Sequence, residues 1–136
     1  MDLGYRVKAV ADMAGISVRM LHHYDRIGLL KPESVSPAGY RLYSDRDLER
    51  LQEIMFFREL DFGLGLIKDI MDSPAYDRRR SLESHLLLLR KKRQRLESII
   101  ATLGKSIASM ERGEVVKKKE QLFAAPASRP VRRRRW

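Results

Sequence analysis

Two arginines and a histidine between residues 19 and 26 have types and spacing that suit contacts to nucleic acid. Arg19, His22 and Arg26 recur at steps of three and four residues. On an α-helix, with 100° per residue, such steps bring side chains to one side. Arginine and histidine donate hydrogen bonds to base edges and to phosphate oxygens. We therefore expect a cationic helix face that can enter a DNA groove.

The histidines are not predicted to bind a metal. His22 and His23 are adjacent, and neighbouring residues of a helix point about 100° apart. His85 lies alone in the sequence, and the absence of cysteine excludes thiolate metal sites, disulfides and thiol redox chemistry. The chain also lacks a nucleotide-binding loop, a metal-binding helix motif and a nucleophile elbow. We predict no enzyme activity, no metal and no cofactor.

Apolar residues behind the cationic face define the helix that carries it. Ser17 is a suitable N-cap because its hydroxyl can accept a hydrogen bond from a free backbone N–H, and Gly28 suits the left-handed residue after a helix. Four side chains gather on the side opposite the cations: Met20, Leu21, Tyr24 and Ile27. The pattern predicts a helix over residues 18–27.

A second short helix is predicted over residues 7–14, where apolar residues recur with helical spacing at Val7, Val10, Ala11 and Ala14. The two helices are joined by a tight turn that contains Gly15, which is the arrangement of a helix-turn-helix. Many small helical cores contain such a pair, so this pattern by itself leaves DNA binding open.

The segment KPESVSPAGYRLY, residues 31–43, is predicted to form a β-hairpin, or wing. A proline and the turn residues around Gly39 interrupt the helical pattern, and the residues after them alternate as in a strand. Arg41 between Tyr40 and Tyr43 suits a hairpin that rests on a phosphate backbone, since arginine and tyrosine donate to phosphate oxygens. The alternative is a connecting loop whose tyrosines stabilise the core.

Ser44 and Asp47 form a capping-box pattern at the start of a third helix. That helix is predicted to run to about Leu60, and a short helix over residues 66–72 follows two glycines. Arg58 lies near the end of the third helix, where its residue type alone favours a solvated charge.

The strongest periodic signal lies in residues 82–110. Apolar residues step alternately by four and three, an average of 3.5, which is the repeat of a supercoiled helix pair. This favours a homodimer, although Arg93 interrupts the repeat and Gly104 weakens the helix locally. The predicted dimer seam consists of Leu82, Leu86, Leu89, Leu96, Ile100, Leu103, Ile107 and Met110.

The formal charge of +10 is unevenly distributed. Residues 114–136 carry eight basic and two acidic residues, whereas residues 1–113 carry 20 basic and 16 acidic residues. The terminal segment has no periodicity and is predicted to be disordered. It is either a polybasic arm or foreign to the natural protein. The sequence shows no signal peptide and no membrane-spanning run, so we expect a cytoplasmic protein.

Taken in order, these motifs resemble the MerR family of transcriptional regulators, and in particular its TipA-like subgroup. The resemblance is carried by AGISVRMLHHYDRIGLL and SPAGYRLYSDRDLERLQEIMFFRELDF and covers about residues 5–123. It implies a mostly helical fold, a winged helix-turn-helix with a β-hairpin wing and a long C-terminal helix. The implied organisation is a DNA-binding domain over residues 1–75, a coiled-coil helix over 76–113 and a basic tail over 114–136.

The resemblance also implies roles for individual residues. The second helix of the pair becomes the recognition helix in the major groove, and the wing residues contact phosphates. The basic residue of a second wing matches Arg58, in contrast to its interpretation as a solvated charge. The implied DNA-binding residues are Ser17, Val18, Arg19, His22, His23, Tyr24, Tyr40, Arg41, Tyr43 and Arg58.

The implied partners are double-stranded promoter DNA, a second copy through an antiparallel coiled coil, and RNA polymerase indirectly through the DNA. Members of the family activate transcription by bending and untwisting promoters whose spacer is too long. Only thirteen residues follow Phe123, too few for an effector domain, so we expect a DNA-binding and dimerisation form. The alternative function is a nucleoid or coiled-coil interaction protein that coats DNA without sequence preference.

Overall fold

The computed structural model describes residues 4–113 and contains two compact units. The first unit ends at Leu82, and the second begins at Glu83. The predicted tail over residues 114–136 lies outside the described residues.

The first unit contains the predicted helix pair. Helix α1 spans Val7–Ala14 and helix α2 spans Val18–Arg26. Between them, Gly15 adopts φ 70° and donates its N–H to the Ala11 carbonyl, so the turn requires the left-handed conformation that glycine tolerates. The helix-turn-helix prediction is confirmed, including both bounds of α1.

The hairpin is part of a three-stranded antiparallel sheet. Strand β1 covers Tyr5–Arg6, β2 covers Ser34–Val35 and β3 covers Arg41–Tyr43, in the order β1-β3-β2. Strand β1 was not predicted, because two residues are too short for a detectable alternation. Its pairing with β3 joins the start of the chain to the wing.

Two helices complete the first unit. Helix α3 spans Asp45–Glu59 and begins with the predicted capping box, in which the Ser44 hydroxyl accepts from the Asp47 N–H at 3.0 Å. Helix α4 spans Leu64–Met71 and begins two residues before the predicted start. Gly63 is its N-cap with extended backbone, so the helix includes the second glycine instead of starting after it.

The core of the first unit forms where all four helices and β3 meet. Its buried side chains are mostly aliphatic, and Val10, Leu21, Ile54 and Ile67 are completely buried. This core determines which face of the recognition helix can be presented to a ligand, because Leu21 anchors the opposite face.

One charged residue lies among these apolar side chains. Glu53 of α3 is 3% exposed, and its carboxylate accepts hydrogen bonds from the Tyr76 hydroxyl and, at 3.1 Å, from Arg78 Nε. Two donors therefore compensate for the burial of the carboxylate. They also connect α3 to the residues at which the long helix begins.

Helix α5 spans Arg78–Glu111, 34 residues, and is about 51 Å long at 1.5 Å per residue. It begins four residues before the predicted seam. Six seam residues are between 43% and 77% exposed in the single chain: Leu86, Leu96, Ile100, Leu103, Ile107 and Met110. Within residues 4–113, no helix combines the length and apolar character needed to cross a membrane.

Candidate DNA-binding surface

The recognition helix α2 presents the predicted polar residues at the surface of the first unit. The Ser17 hydroxyl accepts a hydrogen bond from the Met20 N–H at 3.0 Å, which caps the helix as predicted. Arg19 is exposed, and the side chains of Val18, His22 and His23 are half-buried. The cationic face is thus accessible at its start and partly supported by packing further on. The roles of these residues toward DNA remain predictions.

Tyr24 lies on the apolar side of α2, as its helical spacing predicted. It is only 3% exposed, because it lies on the same side of α2 as Leu21 and belongs to the core. This burial does not favour the DNA contact that the resemblance implied for Tyr24, and that contact remains a prediction. Burial raises the pKa of its hydroxyl, and the positive charge of Arg58 partly opposes that shift.

The charge of Arg58 lies at the end of α3. Arg58 occupies the last turn of α3 and is half-buried, so it is not the fully solvated charge that its residue type favoured. The contact of Arg58 with DNA remains a prediction.

The wing is shaped by a tight loop. The Ser36 N–H donates to the Tyr40 carbonyl at 2.7 Å, and the Tyr40 N–H donates to the Ser36 hydroxyl at 3.0 Å. Gly39 adopts φ 88°, a backbone conformation that other residues seldom take. The loop leaves Tyr40 50% exposed and the Arg41 side chain 52% exposed.

Tyr43 is not at the surface of the wing. Its ring is completely buried, and its hydroxyl has no hydrogen-bond partner among the described residues. Strand β3 passes from the hairpin into the core within three residues, so position along the strand decides burial more than alternation does. This burial does not favour the phosphate contact of Tyr43, which remains a prediction. The alternative, a tyrosine that stabilises the core, holds for this residue.

An ion pair joins the wing to the recognition helix. Arg41 Nη1 lies 2.5 Å from the Oδ2 of Asp25 in α2, and Lys31 Nζ lies 3.9 Å from Asp25 Oδ1. No sequence signal indicated this contact, because Asp25 and Arg41 are sixteen positions apart and lie in two different local patterns, the helix and the hairpin. The wing cations and the helix therefore form one continuous surface.

Arg6 is a second cation that the sequence analysis missed. Its guanidinium carbon lies 3.9 Å from the centroid of the Tyr40 ring, a cation–π contact across the sheet. The dipeptide Tyr5-Arg6 repeats the Tyr40-Arg41 pair of the wing, and that repetition was the available signal. The sheet thus carries exposed arginines on both β1 and β3.

A set of polar contacts joins α3 to the residues that follow α2 and to the end of α4. Arg50 donates from Nε to the Leu29 carbonyl at 2.7 Å and from Nη2 to Asp72 at 2.9 Å. Lys68 Nζ lies 3.0 Å from the other Asp72 oxygen. The Lys68 hydrogen bond, followed by that of Arg50, lowers the pKa of the Asp72 carboxyl. These polar contacts orient α3 and α4, which lie behind the candidate DNA-binding residues.

Comparison with known families identifies the part of the chain that carries this surface. Residues 5–74 match the family described as MerR HTH family regulatory protein, which is about half of the chain. The chain belongs to the MerR family. It is a regulatory protein of that family and not an enzyme, as predicted.

Individual MerR proteins support the same assignment. The chain is 46% identical over 127 residues to the HTH-type transcriptional activator Mta of Bacillus subtilis. It is 43% identical over 111 residues to the activator TipA of Streptomyces coelicolor. These matches cover 93% and 82% of this chain. The TipA-like resemblance is confirmed.

A solved MerR structure has a similar fold. The regulator SkgA from Caulobacter crescentus superposes with a TM-score of 0.77 at 38% identity, and the match covers 88% of this chain and 86% of that one. The predicted fold class is confirmed. The chain spans about half the length of the curated relatives it matches, 49% of Mta and 44% of TipA.

Proposed function

We propose that this MerR-family chain is a transcriptional activator that binds a specific promoter sequence as a homodimer. The observation that carries the proposal is the continuity of the candidate surface: Arg41 of the wing is 2.5 Å from a carboxylate of the recognition helix. Base-reading and phosphate-contacting side chains can therefore meet one DNA duplex together.

The chemistry of the surface supports a division of labour. Exposed Arg19 and half-buried His22 lie on the helix proposed to enter the major groove, where base edges present acceptors. Arg41 and Tyr40 project from the wing and suit phosphate oxygens. Arg6, whose guanidinium lies over the Tyr40 ring, adds a cation next to Tyr40.

The proposed dimer forms through an antiparallel coiled coil of α5. The seam supports it, because six of its large apolar residues are exposed in the single chain, and the last five of them recur at an average of 3.5 positions. Pairing two copies removes these side chains from water. Two copies present two recognition helices, which suits a pseudo-palindromic site.

Activation is proposed to occur through the shape of the DNA. Phosphate contacts at both half-sites supply the free energy for bending and untwisting the centre of an over-long promoter spacer. RNA polymerase then engages both promoter elements without direct contact to this protein. Mta and TipA are described as transcriptional activators, which favours activation over repression.

The proposal is tested by footprinting the chain on the promoter of its own gene, with run-off transcription on the same template. We expect a protected, pseudo-palindromic site and increased transcript. The same site should be protected by a chain that lacks residues 124–136, because the proposed contacts all lie within residues 4–113. Protection that disappears with the tail would indicate DNA coating by a polybasic segment and would contradict the proposal.

The division between base and phosphate contacts gives a separate prediction. Arg41→Ala should weaken binding to the operator and to each of its single-base variants by a similar factor, about three- to tenfold, because phosphates carry no sequence information. His22→Ala should change the ranking among operator variants, with about tenfold loss at one base pair. Fluorescence anisotropy on a panel of single-base operator variants measures both. Equal, uniform losses from the two substitutions would contradict the assignment.

A further inference from the structure

A carboxylate lies where the proposed base contacts and phosphate contacts meet. In α2, Asp25 forms an ion pair with Arg41, with Oδ2 2.5 Å from Nη1, and its Oδ1 lies 3.9 Å from Lys31 Nζ. The Asp25 side chain is 15% exposed, whereas that of Arg41 is 52% exposed. A carboxylate at this place repels phosphates, so electrostatic attraction of DNA does not explain its presence.

The geometry leaves Arg41 able to bind a second anion. A guanidinium has five donors in a rigid fork, and the contact with Asp25 uses Nη1. The edge formed by Nε and Nη2 is suited to a bidentate phosphate. Because Asp25 is largely buried on a helix, it can hold the guanidinium in one orientation.

The surroundings of Asp25 support a fixed position for both charges. The ring of Tyr43 is completely buried beside the pair. Burial raises the pKa of its hydroxyl, the Asp25 charge raises it further, and Arg41 lowers it. The Asp25 side chain, which is 15% exposed, therefore provides the largely buried end of the ion pair, where side-chain motion is restricted.

We propose that Asp25 is a positioning residue that makes DNA recognition specific. It ties Arg41 to the recognition helix, so that the wing reaches its phosphate when that helix is seated in the groove in its correct register. Without this tie, Arg41 can turn toward any nearby phosphate on any sequence. The inference rests on the proposed function and adds the residue that couples its two kinds of contact.

Two effects of removing the charge have opposite signs. The loss of a carboxylate makes the surface more positive, which favours all DNA. Without the ion pair, the Arg41 side chain loses conformational entropy when it binds its phosphate. This loss weakens the precisely fitted operator complex. The affinity for random DNA should therefore rise more than the affinity for the operator. The ratio of operator affinity to random-DNA affinity should then fall.

The experiment uses the full chain and a duplex defined by selection from random sequences with the wild-type protein. The discrimination ratio is the dissociation constant for a scrambled duplex divided by the dissociation constant for this selected duplex. Asp25→Asn should lower the ratio by about tenfold, chiefly by tighter binding to scrambled DNA. Asp25→Glu keeps the carboxylate and should retain most of the discrimination.

Two further variants separate positioning from net charge. Asp12→Asn removes the same charge from an exposed residue of α1 and should leave the ratio as in the wild type. In an Arg41→Ala background, Asp25→Asn should have no further effect on the ratio, because the tie has no partner to act on. Thermal melting verifies that each variant is folded.

The outcomes distinguish the inference from the proposed function. If the wild type does not prefer the selected duplex, the proposed function fails and the inference fails with it. If the wild type discriminates and Asp25→Asn discriminates equally, Asp25 has no role in specificity and only the inference is overturned. The inference alone is also overturned if Asp12→Asn lowers the ratio as much as Asp25→Asn does, or if Asp25→Asn lowers the ratio in the Arg41→Ala background.

Discussion

Leu96→Asp should leave the chain monomeric at micromolar concentration and reduce its affinity for an operator by about a hundredfold or more. Leu96 is 43% exposed in the single chain and lies in the middle of the proposed seam. A carboxylate there would be buried without a partner in the coil. A monomer also loses the gain from binding two linked half-sites, which is on the order of a hundredfold to ten-thousandfold.

Sedimentation equilibrium measures the oligomeric state, and anisotropy on the selected duplex measures the affinity. The matched control is Leu87→Asp. Leu87 is 56% exposed on the same helix, and the step of nine positions between the two residues places it about 180° from Leu96. It should remain dimeric. A wild-type monomer at micromolar concentration, or equal effects of the two substitutions, would contradict the proposed seam.

Tyr76→Phe should destabilise the folded protein by about 1.5–3 kcal/mol at neutral pH. The Tyr76 hydroxyl donates to the Glu53 carboxylate, which is 3% exposed and has Arg78 as its other donor. Removal of a hydrogen bond to a buried charged group has a cost of about this size. Urea unfolding followed by circular dichroism measures the change in the free energy of unfolding.

The same residue predicts a dependence on alkaline pH. Burial, followed by the hydrogen bond to Glu53, raises the pKa of Tyr76 from 10 to about 12. A raised pKa in the folded state stabilises the protein below pH 10, and this contribution is lost as the pH rises from 10 to 12. The full shift corresponds to at most about 2.7 kcal/mol. Because the ring is only partly buried, we expect about 1–2 kcal/mol.

The Tyr76→Phe variant should lack this decrease in the free energy of unfolding between pH 10 and 12. The control at neutral pH is Tyr40→Phe, which removes a hydroxyl from a ring that is 50% exposed and should change stability by less than about 0.5 kcal/mol. An unchanged stability of Tyr76→Phe at neutral pH, with the wild-type slope between pH 10 and 12, would show that the Glu53 contact contributes little.

Local sequence alone determined the ends of the helices that carry the candidate surface. Ser17 caps α2 through a backbone N–H three residues away, and Ser44 and Asp47 cap α3 within the same distance. Such contacts depend on neighbours in the chain, so the residue types suffice to predict them. The outward direction of Arg19 followed in the same way from helical periodicity.

The environment of the wing tyrosines depended on the tertiary structure. Helical spacing already placed Tyr24 on the apolar side of α2, whereas no local pattern indicated that Tyr43 is buried in the core and Tyr40 is exposed. A tyrosine has an apolar ring and a polar hydroxyl, so its type is compatible with either environment. Which of them applies depends on the helices that pack against each ring. Tyr40 differs because its loop projects from the sheet.

The helix-turn-helix, the capping residues and the repeat of α5 were therefore readable from the sequence, because each depends on spacing along one segment. The tie between Asp25 and Arg41, the stacking of Arg6 on Tyr40 and the burial of Glu53 were decided only by the fold. Each joins residues at least sixteen positions apart or depends on packing from several elements, and no local pattern encodes such a contact.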